Sequence, residues 1–342
     1  MLKKYLLITA LLLSGTVQAY DFKTLAEGHI IPAYQHLADK TAALKGVADR
    51  FCEQPDMAEI ATLRNSYKTA FLAWQGAQHL RFGPVQYLSR AHRLELWPDK
   101  RGTVGKHLAQ LLNDPKFAKG PVPDISKKSV AVQGFSALER LLYGNKKPEA
   151  IQCRAIEAIT KNLQTIGREL HRDWAEGDTA YLNYFSQPGP GNMVYESNEE
   201  LASQLLNSLY TQLEFILTQK LDRPLGKSLK KSRGKRAEGW RSGSALPAIE
   251  KNLAACHVLY RDTFASELKE HPLHTRIDIA FTKAMTTLSG IDIPLSKAIT
   301  DDAQRPRVEQ LRMDISHIKK LLARQLAPEL NLSLGFNSLD GD

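Results

Sequence analysis

The chain reads as an all-α protein made of two packed antiparallel helical bundles of the four-helix type. Three observations predict this. Apolar residues recur every third or fourth position almost throughout. Alternating β-branched runs, the mark of half-buried strands, are nearly absent. Leu, Ala, Lys, Gln and Glu dominate between few glycines, which suits helices.

The elements follow in order. Residues 25–52 form one amphipathic segment with Pro32 near its start. Residues 56–81 form a second, with Ile60, Leu63, Tyr67, Phe71 and Trp74 on one stripe. Residues 84–125 are broken by Pro98, Gly102, Pro115, Pro121 and Pro123 into short helices and loops. A helix is expected over roughly 128–143, stopped at Gly144, a residue suited to a helix C-terminus. Residues 149–176 follow, with Ile156, Ile159, Leu163, Ile166, Leu170 and Trp174 in register.

The segment FSQPGPGNMVYES, 185–197, cannot continue a helix and marks the best internal boundary. Beyond it, Leu201, Leu205, Leu209, Leu213 and Ile216 mark the next helix. Further helices are expected over 245–270, 273–289 and 303–327, the last lined by Val308, Leu311, Ile315, Ile318, Leu322 and Leu326. Four long helices thus stand on each side, giving an N-terminal bundle over 20–190 and a C-terminal one over 191–342. No internal repeat aligns between the halves.

Residues 1–19 read as a secretory signal. Lys3 and Lys4 supply the charged start, Leu6 to Leu13 a short apolar run, and Val17-Gln18-Ala19 the small residues for cleavage after Ala19. The run is too short for a bilayer span, no cysteine follows the cleavage point, and no later stretch reads as a transmembrane segment. The mature chain is therefore expected to begin at Tyr20 and to reside in the periplasm. Its formal net charge of +9, two units of which leave with the signal, suits an anionic surface such as a membrane or an acidic glycan. Nucleic acid is not an expected partner of an exported protein.

The chain has three cysteines, Cys52, Cys153 and Cys256. One bridge plus one thiol is the simple arithmetic, three reduced thiols the alternative. Cys52 ends the first helix and Cys153 begins the fourth, ends that an up-down bundle brings together, so a Cys52–Cys153 disulfide is expected. Cys256 sits mid-helix as a small core residue. Residues 222–241 carry eight basic residues against only Asp222 and Glu238, which reads as a solvated loop or a docking surface for an acidic partner.

The most informative stretch is Gly134-Phe135-Ser136-Ala137-Leu138-Glu139, in which Ser136 and Glu139 share a helix face one turn apart. It resembles the signature helix of the imelysin family, which carries Gly-x-His-x-x-Glu here, with Ser136 in the place of the histidine. Other blocks match in order. AWQGAQHLRFGP, 73–84, resembles the first family block, ELWPDKRG, 95–102, a Trp-Pro-Asp loop, residues 224–253 the linker into the second half, and GFNSLDGD the characteristic ending. The resemblance spans nearly the whole mature chain. It implies two antiparallel helical bundles, export, a link to iron uptake, and either peptidase or binding activity.

Serine is a poor transition-metal ligand, and Glu139 alone does not hold a metal. A serine nucleophile needs a base and an oxyanion hole, which the local sequence does not offer. It also lacks the strand-turn-helix context of a nucleophile elbow. The leading expectation is a ligand pocket lined by Arg81, Trp97, Asp99, Arg101, Ser136, Glu139 and Arg241. Arg81, before Gly83-Pro84, presents a fork to an anion or to Glu139 itself. Ser242 or Ser244 suits the cap of the sixth helix.

No His-Glu-x-x-His occurs. His29 with His36, His271 with His274, and the terminal acids are the weaker metal candidates, alongside Glu139. Iron or another divalent metal is the only cofactor the resemblance suggests. The expected function is a binding or accessory protein of iron-related uptake, taking a small ligand or an uptake component as partner. The alternatives are a divergent metal-dependent peptidase or hydrolase using Glu139, and a protein that docks an outer-membrane or redox partner through residues 223–241.

Overall fold

The computed structural model describes residues 20–144 and 147–335. The expected leader and cleavage point, and the closing acidic tail, lie outside the described residues. The described residues form helices and loops with no strand among them.

The long first helix passes through Phe22–Leu25 and a π-helical turn, Ala26–Ile30, into Ile31–Glu53, here α1. The other helices used below are α2 (Ile60–Ala77), α3 (Thr103–Leu112), α4 (Phe135–Leu142), α5 (Ala150–Ala175), α6 (Asn198–Phe215), α7 (Ala245–Phe264), α8 (Pro272–Ser289) and α9 (Arg305–Leu321). Further π-helical turns follow α6 and α9, at Ile216–Asp222 and Leu322–Leu326. Each of the three lies just ahead of a proline: Pro32, Pro224 and Pro328. A proline ring inside a helix collides with the carbonyl four residues back, and in all three cases that residue is in the widened turn. The helix accommodates the ring by slipping register instead of ending.

In the first half, α1 lies along α5 and α2; in the second, α8 lies along α9. Between them α7 packs on both α6 and α2, so one helix serves both bundles. A single apolar core runs from Phe22 to Leu332 without a break at the Gly/Pro-rich segment that separates the halves in sequence.

A polar seam crosses this junction. Lys220, in the π turn after α6, is 1% exposed and donates to Glu238 Oε2 at 2.8 Å, to Gln75 Oε1 at 2.6 Å and to Asn252 Oδ1 at 2.6 Å. Asn252 in turn donates to the Gln75 carbonyl at 2.7 Å. Gln212 of α6 donates to Gln78, just past the end of α2, at 3.1 Å. The seam thus ties α2, α6, α7 and the linker before α7 into one buried unit.

Two expectations are corrected here. The signature helix begins at Phe135, not near 128; Val130–Val132 is a separate short 3-10 turn. The reason is Gly134, whose backbone presses so closely on its neighbours that a Cβ there would lie 2.1 Å from the Leu94 carbonyl oxygen. The chain must cross that strand of backbone before it can coil. Cys52 and Cys153 do face each other across α1 and α5, with the Cys52 thiol donating to the Cys153 carbonyl at 3.6 Å. Both are free thiols here, so the expected bridge is not formed in this structure. Cys256 is fully buried, and burial pushes its thiol well up from the ordinary range.

Candidate functional site

The signature helix α4 is seated by its first residue. Phe135 is fully buried between Tyr67 and Phe71 of α2, at ring separations of 6.0 and 5.7 Å. Burial of such a side chain contributes roughly 1.5–3 kcal/mol, enough to fix where the following turn points. Ser136 then donates its hydroxyl to the Leu96 carbonyl at 3.1 Å. This holds the Glu95–Asp99 loop against the helix. Glu139 reaches the other way: its Oε1 accepts from the Ser242 amide at 2.9 Å and the Ser242 hydroxyl at 2.8 Å.

Between these two anchors lies a cleft of about 590 Å³, within the range of small-molecule sites. Its floor is Tyr67, Phe71, Ser136 and Glu139; its walls are the 95–104 loop and the linker 235–241. Trp97 stands on one wall and Trp240 on the other. Gly239, with φ +56°, supplies the left-handed turn that lets the linker double back beside Phe71 and Ser244.

The acids of the cleft are committed to structure. Asp99 accepts from the amides of Thr103 at 2.7 Å and Val104 at 3.0 Å, capping α3, and faces Arg140 at 3.9 Å. Glu95 Oε2 accepts from Trp74 Nε1 and Gln75 Nε2, each at 3.0 Å. Burial, reinforced by the nearby Glu238 carboxylate, pushes the Glu95 pKa well above the ordinary range and favours its neutral form. Against these acids the lining sets six basic side chains: Lys100, Arg140, Arg223, Lys235, Arg236 and Arg241. Arg241 lies over the Trp240 ring at 4.3 Å and Arg223 over Trp97 at 6.0 Å. Burial lowers the pKa of both guanidinium groups, and repulsion adds to it, from Arg140 on Arg241 and from Arg236 on Arg223.

Of the residues singled out in the sequence, the structure gathers Trp97, Asp99, Ser136, Glu139 and Arg241 around this one cleft. It does not bring Arg81 there. Arg81 turns into the junction, donates to Gln212 at 3.1 Å and lies over the Phe215 ring at 4.7 Å, so its partner is not Glu139. Arg101 is exposed outside the lining. Ser242 serves Glu139 instead of capping a helix. Ser244 occupies the N-cap of α7, but its hydroxyl makes no capping bond. The basic 222–241 segment is only partly solvated: Ala237 and Glu238 are buried, while Lys227, Lys230 and Lys231 face outward.

Sequence reasoning missed Glu95, Arg140 and Trp240 as lining residues. The adjacency of Trp240 to Arg241 was the one available signal. The histidine pairs part company: His29 meets His79 at 2.8 Å, His271 caps α8, and His274 meets Tyr260 at 3.1 Å. Asp278 pairs with His257 at 2.7 Å. Among the described residues no group of three His, Cys, Asp or Glu side chains is placed to hold a metal ion, and no helix is long and apolar enough to cross a membrane.

Comparison with known proteins agrees with the all-α fold. The imelysin family model matches residues 30–322. Iron-regulated protein A of Synechococcus elongatus is 19% identical over 332 residues, spanning 93% of this chain and 87% of the relative. An imelysin-like protein of Psychrobacter arcticum has a TM-score of 0.78 at 21% identity, with 92% of this chain and 96% of that one covered. A structure described as an iron-regulated protein A precursor, from Parabacteroides distasonis, has a TM-score of 0.69 at 13% identity, covering 90% and 96%. At such identities the structural likeness speaks for the fold.

Proposed function

The chain belongs to the imelysin family, and from that premise we propose that it is a periplasmic binding protein of iron-related uptake, without peptidase chemistry, that holds its ligand in the cleft over α4. One observation carries this reading. Both motif residues act as braces: Ser136 ties down the Leu96 loop, and Glu139 ties down Ser242. A general base or metal ligand must offer its oxygen to water or to an ion. Here the carboxylate oxygen facing Ser242 already accepts two hydrogen bonds. The link to iron comes from the relative's description as an iron-regulated protein.

The test has two arms. Turnover of an unfolded protein substrate is expected at background for the wild type and for Glu139→Ala alike. Growth under iron limitation is expected to fall on deletion of the gene and to recover with the wild-type chain, but not with Trp97→Ala/Trp240→Ala. Turnover by the wild type that vanishes in Glu139→Ala would revive the peptidase reading. Export is checked by the mass of the periplasmic form, expected to begin at Tyr20. In that compartment Cys52 and Cys153, already neighbours, are expected to oxidise to a bridge, read as a gain of two hydrogens on reduction.

A further inference from the structure

We propose that the ligand of this cleft is a small multiply charged anion, and that iron reaches it as an anionic ferric chelate instead of a bare cation. The inference rests on the cleft being the binding site and names the chemistry of what it binds.

The argument is one of unmatched charge. Six basic side chains line the cleft against three acids. Glu95 is held toward its neutral form, and Asp99 and Glu139, hydrogen-bonded to the α3 N-terminus and to Ser242, keep their charge but are outnumbered. The linker brings its own two acids, but both are used elsewhere. Asp222 pairs with Arg312 on α9, and Glu238 pairs with the buried Lys220. Among the described residues, Arg223, Lys235, Arg236 and Arg241 therefore have no carboxylate in ion-pair contact.

Two of these cations, Arg223 and Arg241, are half-buried, so water does not fully screen them, and for each the repulsion of a second arginine outweighs the attraction of the nearest cleft carboxylate, Asp99 or Glu139. Arg140 with Arg241 and Arg223 with Arg236 form two such couples. An anion with two or more charged oxygens relieves both couples at once; a singly charged one relieves only one. A bare ferrous or ferric ion meets the same couples as a repulsive field. Guanidinium forks suit carboxylate and phosphate oxygens alike, and Trp97 and Trp240 hold the forks of Arg223 and Arg241 in place.

The two tryptophans also report on the site. Fluorescence and calorimetric titrations of the full mature chain with citrate, ferric citrate, inorganic phosphate, anaerobic ferrous chloride and a neutral ferric trihydroxamate separate the outcomes. Ferric citrate is expected to bind, with affinity falling as salt rises. Arg236→Gln/Arg241→Gln is expected to weaken it by roughly tenfold or more, and Arg241→Lys by less. Citrate and phosphate binding as tightly as ferric citrate supports the anion site and overturns its restriction to iron chelates. Tight ferrous or neutral-chelate binding that ignores salt and the double variant overturns the inference but leaves the cleft a binding site. No response to any probe overturns both.

Discussion

Two groups of charges lie on one stretch of chain, residues 220–241, and they are treated oppositely. In the seam between the halves, Lys220 is fully buried and given three acceptors. On the cleft wall farther along the same chain, Arg223, Lys235, Arg236 and Arg241 have no carboxylate in ion-pair contact among the described residues. A charge provided with partners belongs to the fold. Charges gathered without ion pairs among the described residues are what the proposed anion would meet. Glu238 and Gly239 mark the turning point, one facing the seam and the next lining the cleft.

The contrast can be broken most forcefully at Lys220. Lys220→Met leaves Glu238 buried without its cation and is expected to cost about 3–5 kcal/mol of stability, read by chemical denaturation. A loss below about 1 kcal/mol would mean that the seam is not the structural element described here.

Glu95→Gln sharpens the contrast through pH. The amide oxygen keeps both acceptor roles, but the group no longer ionises. The folded pKa of Glu95 lies well above its ordinary 4.5, so its contribution is fully present below about that pH and is lost as pH rises through the folded value. Wild type and variant are therefore expected to match in acid, with the variant increasingly more stable toward neutral and alkaline pH. Parallel melting curves across the range would show that Glu95 does not hold its proton.

The smallest effect is expected on the cleft wall. Arg236→Gln/Arg241→Gln removes two mutually crowded cations and should change stability by no more than about 0.5 kcal/mol, or raise it. The same variant carries the largest expected loss of ligand affinity. A large destabilisation there would place these arginines with Lys220, as parts of the fold.

The helices were legible because apolar spacing records which face is buried, and the long segments 149–176 and 273–289 match α5 and α8 closely. The start of α4 was not, since nothing local to Gly134 shows that Leu94 presses on it. The cleft was legible in part. Trp97, Asp99, Ser136, Glu139 and Arg241 sit in recognisable blocks. The contact that explains Glu139, however, joins it to Ser242 across 103 residues, a distance over which periodicity carries no information. Arg81 misled for the same reason: a guanidinium before Gly-Pro looks like an anion fork, and only packing against Gln212 and Phe215 reveals its role.

The seam around Lys220 also limits how the molecule moves. Prising α2 away from α7 would draw a lysine and a glutamate into a widening gap before water had room to solvate either. The two bundles are thus poorly suited to clamshell motion, in which halves swing apart and shut. The 95–104 loop and the doubled-back linker are joined to the signature helix through Ser136, Glu139 and the Arg140–Asp99 pair. A ligand in the proposed site would enter and leave past those side chains.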